Sequence, residues 1–153
     1  MWSRLFDFSS VTNTGNNNIL ISVNSGLGAN KFYMEIYENT VYYTNFVTPD
    51  LVVNDNIWRH LVWTISTDGT WKMYINGQLY RTNTGMHVPP YALRKYAWIG
   101  RSCWDQDAPY NGYMDDFRIY NTVLDANDAA SLYNYTSTLT QPGMKYLPLS
   151  HLV

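Results

Sequence analysis

The stretch richest in side chains that do chemistry is Ser102–Gly112, read SCWDQDAPYNG. It is polar, acidic and aromatic at once. Saccharide sites stack a sugar face on Trp or Tyr and pair its hydroxyls with Asp, Asn and Arg. Trp104, Asp105, Gln106, Asp107, Tyr110 and Asn111 supply both kinds of group, and Arg101 lies just before them. Loops on a rigid scaffold are where binding usually lives, so these residues form the candidate ligand-binding set. Tyr91 and Tyr96 are candidates for a second platform. Asp105, Asp107, Asn111 and Asp115 are oxygen donors within eleven residues. Calcium takes roughly six to eight oxygens from irregular loops, which makes these four the candidate metal ligands.

Hydrolysis has less to stand on. Glycosidic cleavage needs two carboxylates flanking the scissile bond. The two glutamates, Glu35 and Glu38, are three apart, a spacing that sends them to opposite faces of a strand. Asp115 and Asp116 are adjacent and diverge in the same way, while Asp105 and Asp107 sit in a loop. Three scattered histidines offer no triad and no zinc site. Cys103 is the single cysteine, so no intrachain disulfide forms, and it reads as a small buried apolar residue. The chain is expected not to be an enzyme.

The elements that must hold the loop are strands. Trp58–Gly77 (WRHLVWTISTDGTWKMYING) alternates Leu61, Trp63 and Ile65 with polar partners, turns at Asp68-Gly69, and alternates again at Trp71, Met73 and Ile75. Asn76-Gly77 then opens a third strand from Gln78, giving a β-meander. Trp58, Trp63 and Trp71 read as core or sheet packing. Further strands are expected at Trp2–Phe8, Ile19–Val23, Lys31–Tyr37, Val41–Val47, Tyr96–Gly100 and Tyr113–Tyr120. One helix is expected over Leu124–Tyr135, with Asp125 as N-cap and Asp128 three residues on as its capping-box partner. The tail from Thr136 carries Met144, Tyr146, Leu147, Leu149, Leu152 and Val153, and is expected to pack on the domain or on a partner.

A chain of 153 residues suits one domain, here taken as 1–135 followed by the 136–153 tail. Aromatic residues make up 16% and charged residues 14%, with a net charge of −2, a balance that favours an all-β protein and leaves nucleic-acid binding without a basic patch. No stretch is long and apolar enough to span a membrane, and the N-terminus carries no signal-peptide pattern.

WRHLVWTISTDGTWKMYINGQ, then WIGRS, then GYMDDFRIYNTVLDANDAASLY resemble the laminin-G-like, concanavalin-A-like lectin/glucanase superfamily, in the order in which that family shows its motifs. SRLFDF resembles an early strand of the same fold. The resemblance implies a two-sheet antiparallel β-sandwich, a concanavalin-A-like jelly roll, with one short C-terminal helix. It implies calcium at the sandwich rim as in many relatives, and a structural role for His60 at the Trp-x-His position. It departs from the glycosidases of the superfamily, which carry a Glu-x-Asp-x-(x)-Glu strand. Family domains usually carry a further strand or two before SRLFDF. Met1-Trp2 opens this chain, so either the domain is cut at its N-terminus or another segment, the tail or a partner chain, is expected to fill the missing edge.

These readings point to a non-catalytic glycan-binding or adhesion module, calcium-assisted, acting outside the cell or on a cell or virion surface. The competing expectation is a structural or assembly protein that binds protein neighbours through its N-terminal edge and tail.

Overall fold

Runs of β-branched and aromatic residues broken by Asn, Asp and Gly fold as strands and turns. The computed structural model describes residues 2–25, 28–48, 53 and 55–139. Among them are β1 (Ser3–Ser9), β2 (Ile19–Ser25), β3 (Gly28–Glu38), β4 (Val41–Val47), β5 (Leu61–Ile65), β6 (Trp71–Ile75), β7 (Gln78–Asn83), β8 (Tyr96–Ile99) and helix α1 (Ala126–Leu139). Every pairing between strands is antiparallel. The described residues fall into two compact units, those of Met1–Ile57 with His87–Arg118 and those of Trp58–Met86 with Ile119–Val153.

The first unit is a five-stranded sheet in the order β4-β3-β2-β1-β8. Its β3–β4 hairpin turns through Asn39 and Thr40, both at positive φ, as a two-residue turn with the strands' own twist requires. Leu20, Ile21, Val23, Phe32, Met34, Ile36 and Phe46 are buried. Tyr33 and Glu35 are buried as well, so β3 is covered on both faces. β1 pairs with β2 on one side and with β8 on the other. The neighbour of β1 on that side is thus β8, not the tail or a partner chain, and among the described residues the edges of this sheet are β4 and β8.

The second unit holds the meander in the order β5-β6-β7, together with α1. Asn76 and Gly77, both at positive φ, make the β6–β7 turn. Gly77 is also a close approach: a Cβ there would lie 3.0 Å from the Ala130 backbone of α1. Trp71 and Met73 are buried, and Trp63 meets Trp71 edge-on at 5.0 Å. The capping box forms as expected. Asp125 Oδ1 accepts from the Asn127 and Asp128 amides at 2.7 and 2.9 Å, and Asp128 Oδ2 accepts from the Asp125 amide at 2.9 Å.

Three further expectations need correction. Tyr113–Tyr120 is not a strand. Asp115 Oδ1 accepts from the Asp116 amide at 2.8 Å, Asp116 sits at a φ of 54°, and this local turn breaks the extended run. Helix α1 starts after its cap and continues to Leu139, beyond Tyr135. Trp58 precedes β5 rather than joining the ladder and is 65% exposed, not core. Leu51, Val52 and the tail beyond residue 139 lie outside the described residues.

Candidate functional site

The site is built on β1. Residues three apart in a regular strand face opposite ways. Between Arg4 and Phe6 the β1–β2 register shifts by a bulge at Leu5, which restores Arg4 and Asp7 to one side. Both side chains are buried, and Arg4 Nε lies 3.8 Å from Asp7 Oδ2.

Asp7 is the anchor of the loop that follows β8. Its Oδ2 accepts from the Cys103 amide at 3.0 Å, and its Oδ1 accepts from Asn18 Nδ2 at 2.7 Å. Asn18 Oδ1 accepts in turn from Ser9 Oγ at 3.1 Å and from the Asn16 amide at 2.8 Å. Asn13 clasps the same loop. Its amide donates to the Cys103 carbonyl at 2.9 Å, its Oδ1 accepts from the Asp105 amide at 2.8 Å, and its Nδ2 donates to Asp105 Oδ2 at 2.9 Å. The polar run Ser9–Asn18 and the loop 100–112 are thereby laced into one surface. A side chain held by several such bonds is positioned before any ligand arrives.

Within the loop, Ser102 Oγ donates to Asp107 Oδ2 at 2.8 Å and accepts from the Trp104 amide at 3.1 Å. The Asp107 amide donates to the Trp104 carbonyl at 3.1 Å, closing a tight turn that presents Trp104. Asp107 Oδ2 lies 3.4 Å from Arg4 Nη2. An open pocket of about 250 Å³ results, lined by Trp2, Arg4, Tyr37, Trp104, Gln106 and Asp107. The Tyr37 and Trp104 rings are 5.6 Å apart at 55°. The Arg4 guanidinium lies 5.4 Å from the Trp2 ring and 5.5 Å from that of Trp104. Arg4 is only 3% exposed, and its Nε and Nη1 have no hydrogen-bond partner among the described residues.

Burial governs the titration of this cluster. It pushes the Glu35 carboxyl up to about 7, against the opposing pull of Arg4 and of the Tyr42 hydroxyl, which donates to Glu35 Oε1 at 2.9 Å. Burial also raises Asp7, despite its hydrogen bonds to Cys103 and Asn18. The Tyr37 hydroxyl goes up to about 12 and the Cys103 thiol to about 12, both chiefly through burial. Cys103 is thus a packed, protonated thiol.

Of the residues expected from the sequence, Trp104, Gln106 and Asp107 line the pocket, and Arg101, Asp105, Tyr110 and Asn111 do not. Asp105 faces Arg101, whose Nη2 lies 3.2 Å from its Oδ1, and Arg101 also stacks 4.5 Å from the Trp98 ring. The Tyr110 amide donates to the Gly100 carbonyl at 2.9 Å, and Asn111 is exposed. Tyr91 is fully exposed and Tyr96 begins β8; neither lines the pocket. Trp2, Arg4 and Tyr37 went unread in the sequence.

Three of the four expected calcium ligands already have partners within the chain. Asp105 is engaged by Arg101 and Asn13, Asp107 by Ser102 and Arg4, and Asp115 by the Asp116 amide. Among the described residues no three His, Cys, Asp or Glu side chains gather in a metal-holding group. No described helix is long and apolar enough to cross a membrane.

Comparison with known proteins places residues 1–130 on the family model of the concanavalin A-like lectin/glucanases superfamily. The chain is also similar to the sushi, von Willebrand factor type A, EGF and pentraxin domain-containing protein 1 of Rattus norvegicus, 41% identical over 64 residues. The Mus musculus protein of the same name is 39% identical over 64 residues. Each match takes in 39% of this chain and spans 2% of the relative's length. Among solved structures, an S-layer domain-containing protein from Clostridium thermocellum is 22% identical with a TM-score of 0.47, over 86% of this chain and 63% of that one.

Proposed function

This chain belongs to the concanavalin A-like lectin/glucanase superfamily, and from that premise we propose a non-catalytic carbohydrate-binding module that takes a saccharide in the pocket beside Trp104. The two antiparallel sheets and the one helix among its described residues agree with the β-sandwich of that superfamily. Membership supports a lectin-like or adhesion module in general, and laminin-G-like domains are typically non-catalytic. The pocket carries the finer reading. It combines three aromatic rings, Trp2, Tyr37 and Trp104, with a polar floor of Arg4, Gln106 and Asp107, on a surface fixed by hydrogen bonds. Aromatic walls with a few convergent polar groups are the usual make-up of a small-ligand site. An extracellular or cell-surface setting, where glycans are displayed, follows as part of the same proposal.

The test is a glycan array probed with the folded chain and with Trp104→Ala, each with calcium and with a chelator. The wild-type chain should bind at least one saccharide, and Trp104→Ala should lose that binding while keeping its fold. The engaged carboxylates argue for binding that ignores the chelator; loss with the chelator would return Asp105, Asp107, Asn111 and Asp115 to the role of metal ligands. A blank array with folded protein would overturn the reading.

A second reading, assembly with protein neighbours, is favoured by one observation. Tyr113 is 86% exposed, in a segment of the first unit that also exposes Met114 and Phe117. Contiguous exposed apolar residues mark interaction sites more often than chance. Light scattering of the purified chain, with Tyr113→Lys as control, would show oligomers that the substitution dissolves.

A further inference from the structure

The pocket's floor holds two opposite charges that cannot leave it. Arg4 is buried and flanked by two indole rings, so it cannot swing out to solvent. Asp107 is held by Ser102 at 2.8 Å and faces Arg4 Nη2 at 3.4 Å. Two more carboxylates act on Arg4 from its own sheet: Asp7 on β1 at 3.8 Å, and Glu35 on β3, which couples to it electrostatically. Tyr37 adds a neutral hydroxyl, and Gln106 a neutral amide. Asp105 and Arg101 pair with each other outside the lining.

An anionic sugar entering to meet Arg4 would come against Asp107, with Asp7 also beside the guanidinium. A cationic sugar entering to meet Asp107 would come against Arg4. In either case one member of a fixed pair repels the ligand, and like charges brought together in a desolvated site are costly. A hydroxyl meets no such conflict, because one oxygen accepts from a guanidinium while its proton goes to a carboxylate. The volume of about 250 Å³ falls just under the roughly 300–1,000 Å³ of sites for drug-sized ligands, which suits one ring at a time.

Resting on the carbohydrate reading above, we infer that Arg4 and Asp107 are a specificity-determining pair that selects an uncharged sugar ring and rejects both acidic and amino sugars. A ring hydroxyl accepts from Arg4 and donates to Asp107 without upsetting the charge balance of the pair, and Trp104, Trp2 and Tyr37 take the faces of the ring.

The experiment is calorimetric titration of the full chain with each ring in three charge states. The probes are methyl glucoside, galactoside and mannoside, the matching hexuronic acids, and the matching 2-amino-2-deoxy sugars. The neutral parent that binds should exceed both of its charged forms by at least about tenfold in affinity, the scale of a modest like-charge penalty. In Asp107→Asn the penalty on the acid should shrink and that on the amine should grow. An acid or amine that binds as tightly as its neutral parent would overturn this inference and leave the carbohydrate reading standing. If no form of any ring binds, that reading falls and this one with it. Should Asp107→Asn fail to fold by circular dichroism, the wild-type series decides alone.

Discussion

Replacing Glu35 by Gln should flatten the pH dependence of stability across neutral pH. Glu35 is 1% exposed, and its carboxyl is raised by burial from 4.5 to about 7. The unfolded chain releases that proton near 4.5, whereas the folded protein keeps it to about 7. Between those values the native state binds more protons than the unfolded state, so stability falls as pH rises. The full contribution is present below about 4.5 and lost once pH passes about 7. A gap of roughly 2.5 pH units at about 1.4 kcal/mol each makes the total loss about 3 kcal/mol. Urea unfolding followed by tryptophan fluorescence at half-unit steps from pH 4.5 to 8.5 measures it. Wild type should lose most of this amount over that range, and Glu35→Gln, which mimics the protonated acid, should not. Asp7, raised from 3.8 in the same direction, and the histidines remain in both proteins. The difference between the two curves therefore isolates Glu35. A flat difference curve would refute the reasoning, because it would mean that Arg4 holds Glu35 ionised more strongly than burial keeps it neutral.

Three further outcomes follow from the same contacts. Asp7→Ala leaves the Cys103 amide and Asn18 Nδ2 without their acceptor and Arg4 short of a counter-charge, so it should cost about 3–5 kcal/mol in chemical denaturation, the scale of breaking a buried ion pair. Gly69→Ala should destabilise far more than Gly85→Ala: both sit at positive φ, but a Cβ at Gly69 would meet the Met86 carbonyl oxygen at 2.5 Å, while nothing lies within 4 Å at Gly85. Unfolding midpoints of the two variants give the comparison, with about 1 kcal/mol expected for Gly85→Ala from backbone strain alone. Cys103, buried and pushed up to about 12, should stay unlabelled by a thiol reagent at pH 8 until denaturant is added.

The meander, the capped helix and most strands were legible because each rests on a local rule: period two, a turn residue at positive φ, a side-chain cap. Tyr113–Tyr120 shows where the rule stops. Its alternation is sound, but Asp115 offers the backbone a rival acceptor one residue on, and the extended run breaks there. The candidate site was legible only on the side that the loop supplies. Trp104, Gln106 and Asp107 announce themselves as a cluster, whereas Arg4 and Asp7 stand three apart in an expected strand, a spacing that by itself sends them to opposite faces. Only the bulge at Leu5 unites them, and a bulge is set by the register against β2, which no local pattern encodes. Tyr37 came from a third element, and only the pairing order of the sheet brings it to the loop.

Under the proposed function, that division separates what each half of the pocket would do. On the proposed reading the loop contributes the groups that a ligand would meet, Trp104, Gln106 and Asp107, of which Asp107 is also tied to Arg4 of β1. The β1 contribution is buried, and the Asp7 carboxylate that anchors the loop through Cys103 is also the one beside Arg4. The charge pair at the floor and the scaffold of the loop therefore share a residue. A change at Asp7 should disturb the fold and the choice of ligand together, whereas a change at Trp104 should touch affinity alone. Separating those two effects, in stability and in binding measured on the same protein, tests whether the buried cluster exists to hold the loop or to select what the loop binds.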